Sequence, residues 1–149
     1  VHEFVQKDPG GNGKGQTVGL VCDDELTGGC GYSYEYQTDI IFASCGAFPK
    51  QWLYNANGKV VYGLVKKEEK SALQKLRKMY QQGTLDNHFL MRESNNIIEL
   101  IVSEKCGSFF GPWWSPNNPL MSAMQKNPEA EWHPVGFCRE HILCFPESQ

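Results

Sequence analysis

The residues best suited to acid–base chemistry are His88, Arg92, Glu93 and Glu99, with His133 as a second imidazole. In phosphodiester cleavage a glutamate such as Glu99 would take the 2′-hydroxyl proton and His88 would protonate the leaving oxygen. Arg92 would hold the phosphate. The same residues read more simply as a surface turn after a helix, because His88 and Arg92 follow a long amphipathic segment within ten residues of Gly83. Nucleophilic hydrolysis finds less to work with. No G-x-S-x-G elbow is present, and the carboxylates Asp23-Asp24-Glu25 are loop neighbours that do not face each other across a glycosidic bond.

The cysteines are Cys22, Cys30, Cys45, Cys106, Cys138 and Cys144, an even set with no C-x-x-C pair. That count and spacing exclude a thioredoxin-like redox motif and read as three disulfides in an oxidising compartment, so the chain is expected to be secreted. Fifteen pairings are open for six cysteines. A long loop between the Cys22 to Cys45 cluster and Cys106 or a C-terminal cysteine would remove the most unfolded-state entropy. Val1 in place of Met, with no apolar leader behind it, reads as a chain whose signal peptide has been removed. Cys138, His141 and Cys144 form C-x2-H-x2-C, which offers three soft ligands on one helical face, with His133 as a fourth. A terminal disulfide beside an ordinary His141 explains the spacing with less, so neither metal nor cofactor is expected. The run Asp8-Pro9-Gly10-Gly11-Asn12-Gly13-Lys14-Gly15 lacks the G-x4-G-K-[ST] order of a phosphate loop.

The segment Phe109-Phe110-Gly111-Pro112-Trp113-Trp114 asks most for an explanation. Two phenylalanines and two tryptophans stand among Gly107, Gly111, Pro112, Pro116 and Pro119, which make the segment a loop. A stiff aromatic loop loses little entropy on docking, so Phe109, Phe110, Pro112, Trp113 and Trp114 are the candidate partner-binding residues. The competing reading folds the loop back over an open end of the sheet.

Three resemblances bear on these residues. The Glu, Arg and His set resembles that of guanyl-specific fungal ribonucleases, which combine a helix-on-sheet fold with those residue types. That family runs Glu, Arg, His, whereas this chain runs His88, Arg92, Glu99. Gly10-Gly11, Gln16-Thr17-Val18-Gly19 and Pro112-Trp113 resemble the glycine arm, Q-x-V-x-G turn and Pro-Trp hairpin with which cystatin-type inhibitors enter a cysteine-protease cleft. Here the glycine comes one residue early, and the main helix follows that turn instead of preceding it. In length, cysteine content and acidity the chain resembles small secreted fungal effectors, which implies virulence-associated binding to a host enzyme.

These residues must be held by a modest set of elements. Thr17 to Cys22, Tyr32 to Tyr36 and Asp39 to Ser44 read as strands, with Tyr32, Tyr34 and Tyr36 on one face as a sugar or base platform or simply as a packed sheet face. Gln51 to Tyr54 and Lys59 to Val65 flank Asn55-Ala56-Asn57-Gly58, a hairpin signal. Between Lys66 and Gln82, Ala72, Leu73, Leu76, Met79 and Tyr80 recur at helical spacing, with Gly83 as the stop. The helix's other face is lysine-rich, which suits an anionic partner or, more simply, water and the negative end of the helix dipole. Ile97 to Val102 reads as a central strand, and Leu120 to Lys126 as a short helix.

With 149 residues and 40% hydrophobic content, the chain is long enough for one core and short for two domains. The expected fold is α+β, a mostly antiparallel sheet covered by one main helix at 66–82, disulfide-stabilised, with residues 1–16 as a flexible glycine-rich arm and an irregular C-terminal third. No apolar run reaches membrane length, and a net charge of −3 argues against a nucleic-acid coat. The functional expectation is a secreted, effector-like protein that binds and inhibits a host extracellular hydrolase, a peptidase first, through the aromatic loop. The alternative is a small secreted ribonuclease-like enzyme, the one reading that would bring in nucleic acid.

Overall fold

The computed structural model describes residues 1–28 and 35–135. In chain order the elements are α1 (His2–Lys7), β1 (Val18–Leu20), α2 (Asp39–Ser44), β2 (Trp52–Tyr54), β3 (Val60–Tyr62), α3 (Lys67–Gln81), α4 (Ser94–Val102), β4 (Cys106–Ser108) and α5 (Pro119–Lys126), with single 3-10 turns at Gly63–Val65, Phe89–Met91 and Ser115–Asn117.

The organising unit is a parallel pair. β1 lies beside β4 with Val18 opposite Cys106 and Leu20 opposite Ser108, and a parallel bridge joins Leu20 to Leu85 on the other side. Successive strand side chains point to opposite faces. Leu20 and Cys22 therefore enter one core with Ile41, Phe42, Ala72 and Leu76, while Val21 enters a second with Ile97, Ile101, Cys106 and Ala123. Helices α2 and α3 cover the first face, and α4 and α5 the second. Covering on both faces is what a parallel arrangement requires.

The expectation of a mostly antiparallel, disulfide-stabilised sheet is therefore corrected. Only β2 and β3 are antiparallel among the described residues, as a separate two-stranded hairpin pairing Trp52 with Tyr62 and Tyr54 with Val60. Two segments read as strands are helices. Asp39–Ser44 begins where the Thr38 carbonyl accepts the Ile41 and Phe42 amides. Ser94–Val102 is launched by a capping box in which the Glu93 side chain takes the Asn96 amide and the Asn96 side chain takes the Glu93 amide. Its buried residues, Ile97 and Ile101, are one turn apart, so the same short apolar run that suits a central strand also presents a helical stripe.

Cys22, Cys45 and Cys106 are free thiols, and no disulfide forms among the described residues. Cys22 and Cys106 belong to opposite cores of the parallel pair, and the expected bond from Cys106 to the Cys22 to Cys45 cluster is not formed with either described member of it. Cys30, Cys138 and Cys144 lie outside the described residues, as do Tyr32, Tyr34 and His141.

The hairpin and main helix follow the sequence pattern. Asn55 Oδ1 accepts the amides of Asn57 and Lys59 at 3.0 Å each, and Gly58 takes φ +72°, a left-handed position that favours glycine. α3 buries Ala72 and Leu76 and ends at Gly83, whose amide donates to Tyr80 O while the next amide, of Thr84, reaches back to Met79 O. Within the stretch 1–16, α1 precedes a loop arranged around Asp8. Its carboxylate accepts the amides of Asn12 and Gly13 and the Thr17 hydroxyl, and these bonds hold the Asp8 carboxyl below the ordinary range.

Candidate functional site

β4 delivers the chain into the aromatic loop. Val21 N–H donates to Ser108 O at 3.1 Å, and Tyr36 N–H donates to Phe110 O at 2.7 Å, so the loop starts from a fixed base. The Phe109 ring stands 5.6 Å from the ring of Tyr36 and 6.0 Å from Trp132, a tilted aromatic stack over the second core. Phe110 packs against the first. The two phenylalanines thus straddle the parallel pair and anchor the loop from below.

Beyond them the chain turns out. Gly111 is required here, because a Cβ would overlap the Ser115 hydroxyl oxygen tucked beneath it. Ser115 N–H closes the turn on Pro112 O at 3.0 Å. Between these two residues Trp113 is 84% exposed and Trp114 39% exposed, with ring centroids 5.6 Å apart and planes at 86°. One turn later the exposed Asn118 donates through Nδ2 to Glu35 Oε2 at 3.3 Å. The site is an edge-to-face pair of indoles on a short, proline-bounded loop, followed along the chain by an amide–carboxylate pair.

The acid–base set is not gathered in this way. Arg92 donates from Nε to Asp86 Oδ2 at 2.7 Å, and the Asp86 side chain is 1% exposed. His88 is mostly in solvent, with its Nδ1 3.7 Å from Asp86 Oδ1 and its amide donating to that same oxygen at 2.9 Å. Arg92 and Glu99 line one groove along α4, and His88 is not among its lining residues. Asp86 is the member the sequence reading missed. Its only signal is the Asp-Asn-His order, in which an aspartate accepts the amide two residues on. His133 is exposed beside Glu131 at 3.3 Å. No group of three or more potential metal ligands occurs among the described residues.

Of the acidic loop, Asp24 and Glu25 are exposed. Glu25 lies 3.7 Å from Lys50, and Asp23 is half-buried with its carboxyl pushed up by burial and, less strongly, by its acidic neighbours. The cystatin-like elements do not form a wedge. Gln16 to Gly19 leads into the central strand, where Gly19 is pressed against Thr84 O, and Pro112-Trp113 lies on a loop and not on a hairpin.

The described residues form a mixed α+β fold that carries an exposed aromatic loop. The chain is similar to Lipoprotein LipO of Bacillus subtilis (strain 168), with 29% identity over 127 residues that make up 85% of this chain and 24% of that protein. The chain thus spans about a quarter of the length of this relative. No protein-family model matches the chain, and no solved structure does. Among the described residues no helix is long and apolar enough to cross a membrane.

Proposed function

We propose that the chain is a ligand-binding part of an exported, lipoprotein-like protein, and that its ligand seats on the Trp113–Trp114 pair. The observation that carries this is the division of labour in the loop: Phe109 and Phe110 packed below, Trp113 exposed above. An exposed indole costs hydration and adds nothing to the core, so its stiff presentation is explained by something that covers it. The similarity to a Bacillus lipoprotein supports export.

The geometry favours a small ring-bearing ligand over a protein. A stable protein interface buries about 800 Å² per partner, more than two indoles on a short loop provide. A hydroxylated ring such as a sugar matches both parts of the site. Its C–H face lies on an indole, and its hydroxyls reach the Glu35–Asn118 pair. Nothing in the fold or in the similarity to a lipoprotein supports the finer expectation of peptidase inhibition through the loop.

Titration of tryptophan fluorescence with a panel of mono- and oligosaccharides tests this reading. Binding is expected, and Trp113→Ala should weaken it at least tenfold, which is about 1.4 kcal/mol. Because Trp113 is exposed, its removal should shift stability by no more than about 0.5 kcal/mol. No saccharide binding, or equal binding by Trp113→Ala, overturns the proposal.

A further inference from the structure

A second concave surface lies away from the aromatic loop, along α4. It encloses about 500 Å³, and its polar lining is Arg92, Asn96, Glu99, Ser103, Lys105 and Lys126 over an aliphatic floor. That volume is in the range of small-ligand sites. In a chain of net charge −3, three cations here face one carboxylate.

The pairing of these charges matters more than their number. Arg92 uses Nε, and at 3.5 Å Nη2, on Asp86, which leaves Nη1 for another acceptor. Neither Lys105, Lys126 nor Glu99 forms an ion pair with a described residue. Lys126 ends α5, where the negative end of the helix dipole favours an ammonium, and Lys105 comes shortly after α4; both line the same groove. Glu99 lines the groove and Glu104 is held by Asn127 Nδ2 at 2.7 Å, yet neither pairs with these ammoniums, so an anion between the two lysines still relieves their repulsion.

From this convergence we propose that the α4 groove is an anion site for a soluble organic phosphate monoester. Lys105, Lys126 and the free edge of Arg92 take the phosphate, Ser103 and Asn96 supply hydrogen bonds, and the aliphatic floor takes the organic part. Guanidinium and ammonium groups bind phosphate oxygens through charge-assisted hydrogen bonds. Glu99 faces the same space and opposes the ligand, so it limits affinity and favours release.

The probe is glycerol 3-phosphate, titrated against the intact chain at low ionic strength and followed by calorimetry and by amide shifts of α4 and α5. Saturable binding is expected, weakened about fivefold or more by Lys105→Ala and by Lys126→Ala. Glu99→Gln should strengthen it several-fold, an effect opposite in sign to any loss of folding. Trp113→Ala should leave it unchanged, so this site and the saccharide site fail independently. Absence of binding, wild-type binding by the Lys105→Ala/Lys126→Ala double variant, or binding only to phosphatidylglycerol vesicles overturns the proposal. The last outcome would mean a lipid surface and not a soluble ester.

Discussion

Truncation of Arg92 to alanine should destabilise the fold by about 2–3 kcal/mol, because it strips a buried carboxylate of its main partner. Asp86 is 2% exposed and is tied into the structure on three sides. It accepts Arg92 Nε at 2.7 Å and the His88 amide at 2.9 Å, and its own N–H donates to Leu20 O at 2.9 Å, which fastens the 84–92 turn to β1. A charge-assisted hydrogen bond contributes about 1.5–3 kcal/mol, and breaking a fully buried pair costs about 3–5 kcal/mol. The Arg92 side chain is 23% exposed, so water reaches the vacated space and the cost falls below that of a fully buried pair, to about 2–3 kcal/mol. For a chain of this size the loss corresponds to a fall in Tm of about 5–10 °C. Asp86→Ala should cost more, since it also orphans the His88 amide. Urea unfolding of both single variants and the double variant at pH 7 provides the check, with a coupling of at least about 1 kcal/mol expected. Single variants within about 0.5 kcal/mol of wild type, or strictly additive losses, would refute the view that this pair locks the turn.

Glu69→Gln should stabilise the protein at pH 7. Glu69 is 4% exposed, neither carboxylate oxygen has a hydrogen-bond partner among the described residues, and burial raises its pKa against the smaller opposing pull of the Lys66 ammonium. A carboxyl raised in the fold favours folding at pH below its unfolded value, and that contribution is lost as pH rises through the folded one. The wild type should therefore lose stability relative to Glu69→Gln as pH climbs from 4 towards 7, which thermal melts would show; parallel pH profiles would contradict it. Burial pushes the Cys22 and Cys106 thiols up to about 12 from an ordinary 9.0, so both should resist alkylation in the native state while Cys45 reacts first of these three, as read by peptide-resolved mass spectrometry. The same shifts mean that unfolded thiols ionise first, and stability should fall as pH rises from about 9 to 12. Trp52→Ala, on the hairpin, should leave saccharide binding at the wild-type level, in contrast to Trp113→Ala.

Local signals were legible wherever local chemistry decides the structure. The 55–58 turn sets its hairpin through the Asn55 side chain and a left-handed Gly58, and α3 follows from apolar spacing and a glycine stop, both within a few residues. Ile97 to Val102 was not legible, because a short apolar run fits a buried strand and a buried helix alike. The Glu93–Asn96 cap that settles it carries Asn where the usual signature has Glu or Gln. The β1–β4 pairing joins residues almost ninety positions apart, and nothing in three-residue strands announces a partner at that distance. Cysteine arithmetic misled for a related reason: an even count says nothing about which face of a strand each thiol occupies. Of the candidate site, a loop rich in rings was visible in its composition, but whether its indoles are exposed or packed, and the Glu35–Asn118 pair that follows, depend on the tertiary fold.

Exposure of aromatic rings does not by itself define the site, since the hairpin exposes Trp52 at 72% and Tyr54 at 79%. The difference lies in what holds the rings. Trp52 leans on Tyr62 across the hairpin at 5.1 Å, ring against ring within one exposed face, with Leu53 and Val61 only half-buried behind them. A two-stranded hairpin of this kind is a marginal support on its own. The 109–114 loop is instead rooted in both cores, closed by Ser115 on Pro112, and followed along the chain by Asn118, which is hydrogen-bonded to the Glu35 carboxylate. Rigid placement of an apolar face beside fixed polar groups lets binding proceed without first ordering the site, and it is this property that separates Trp113 from Trp52.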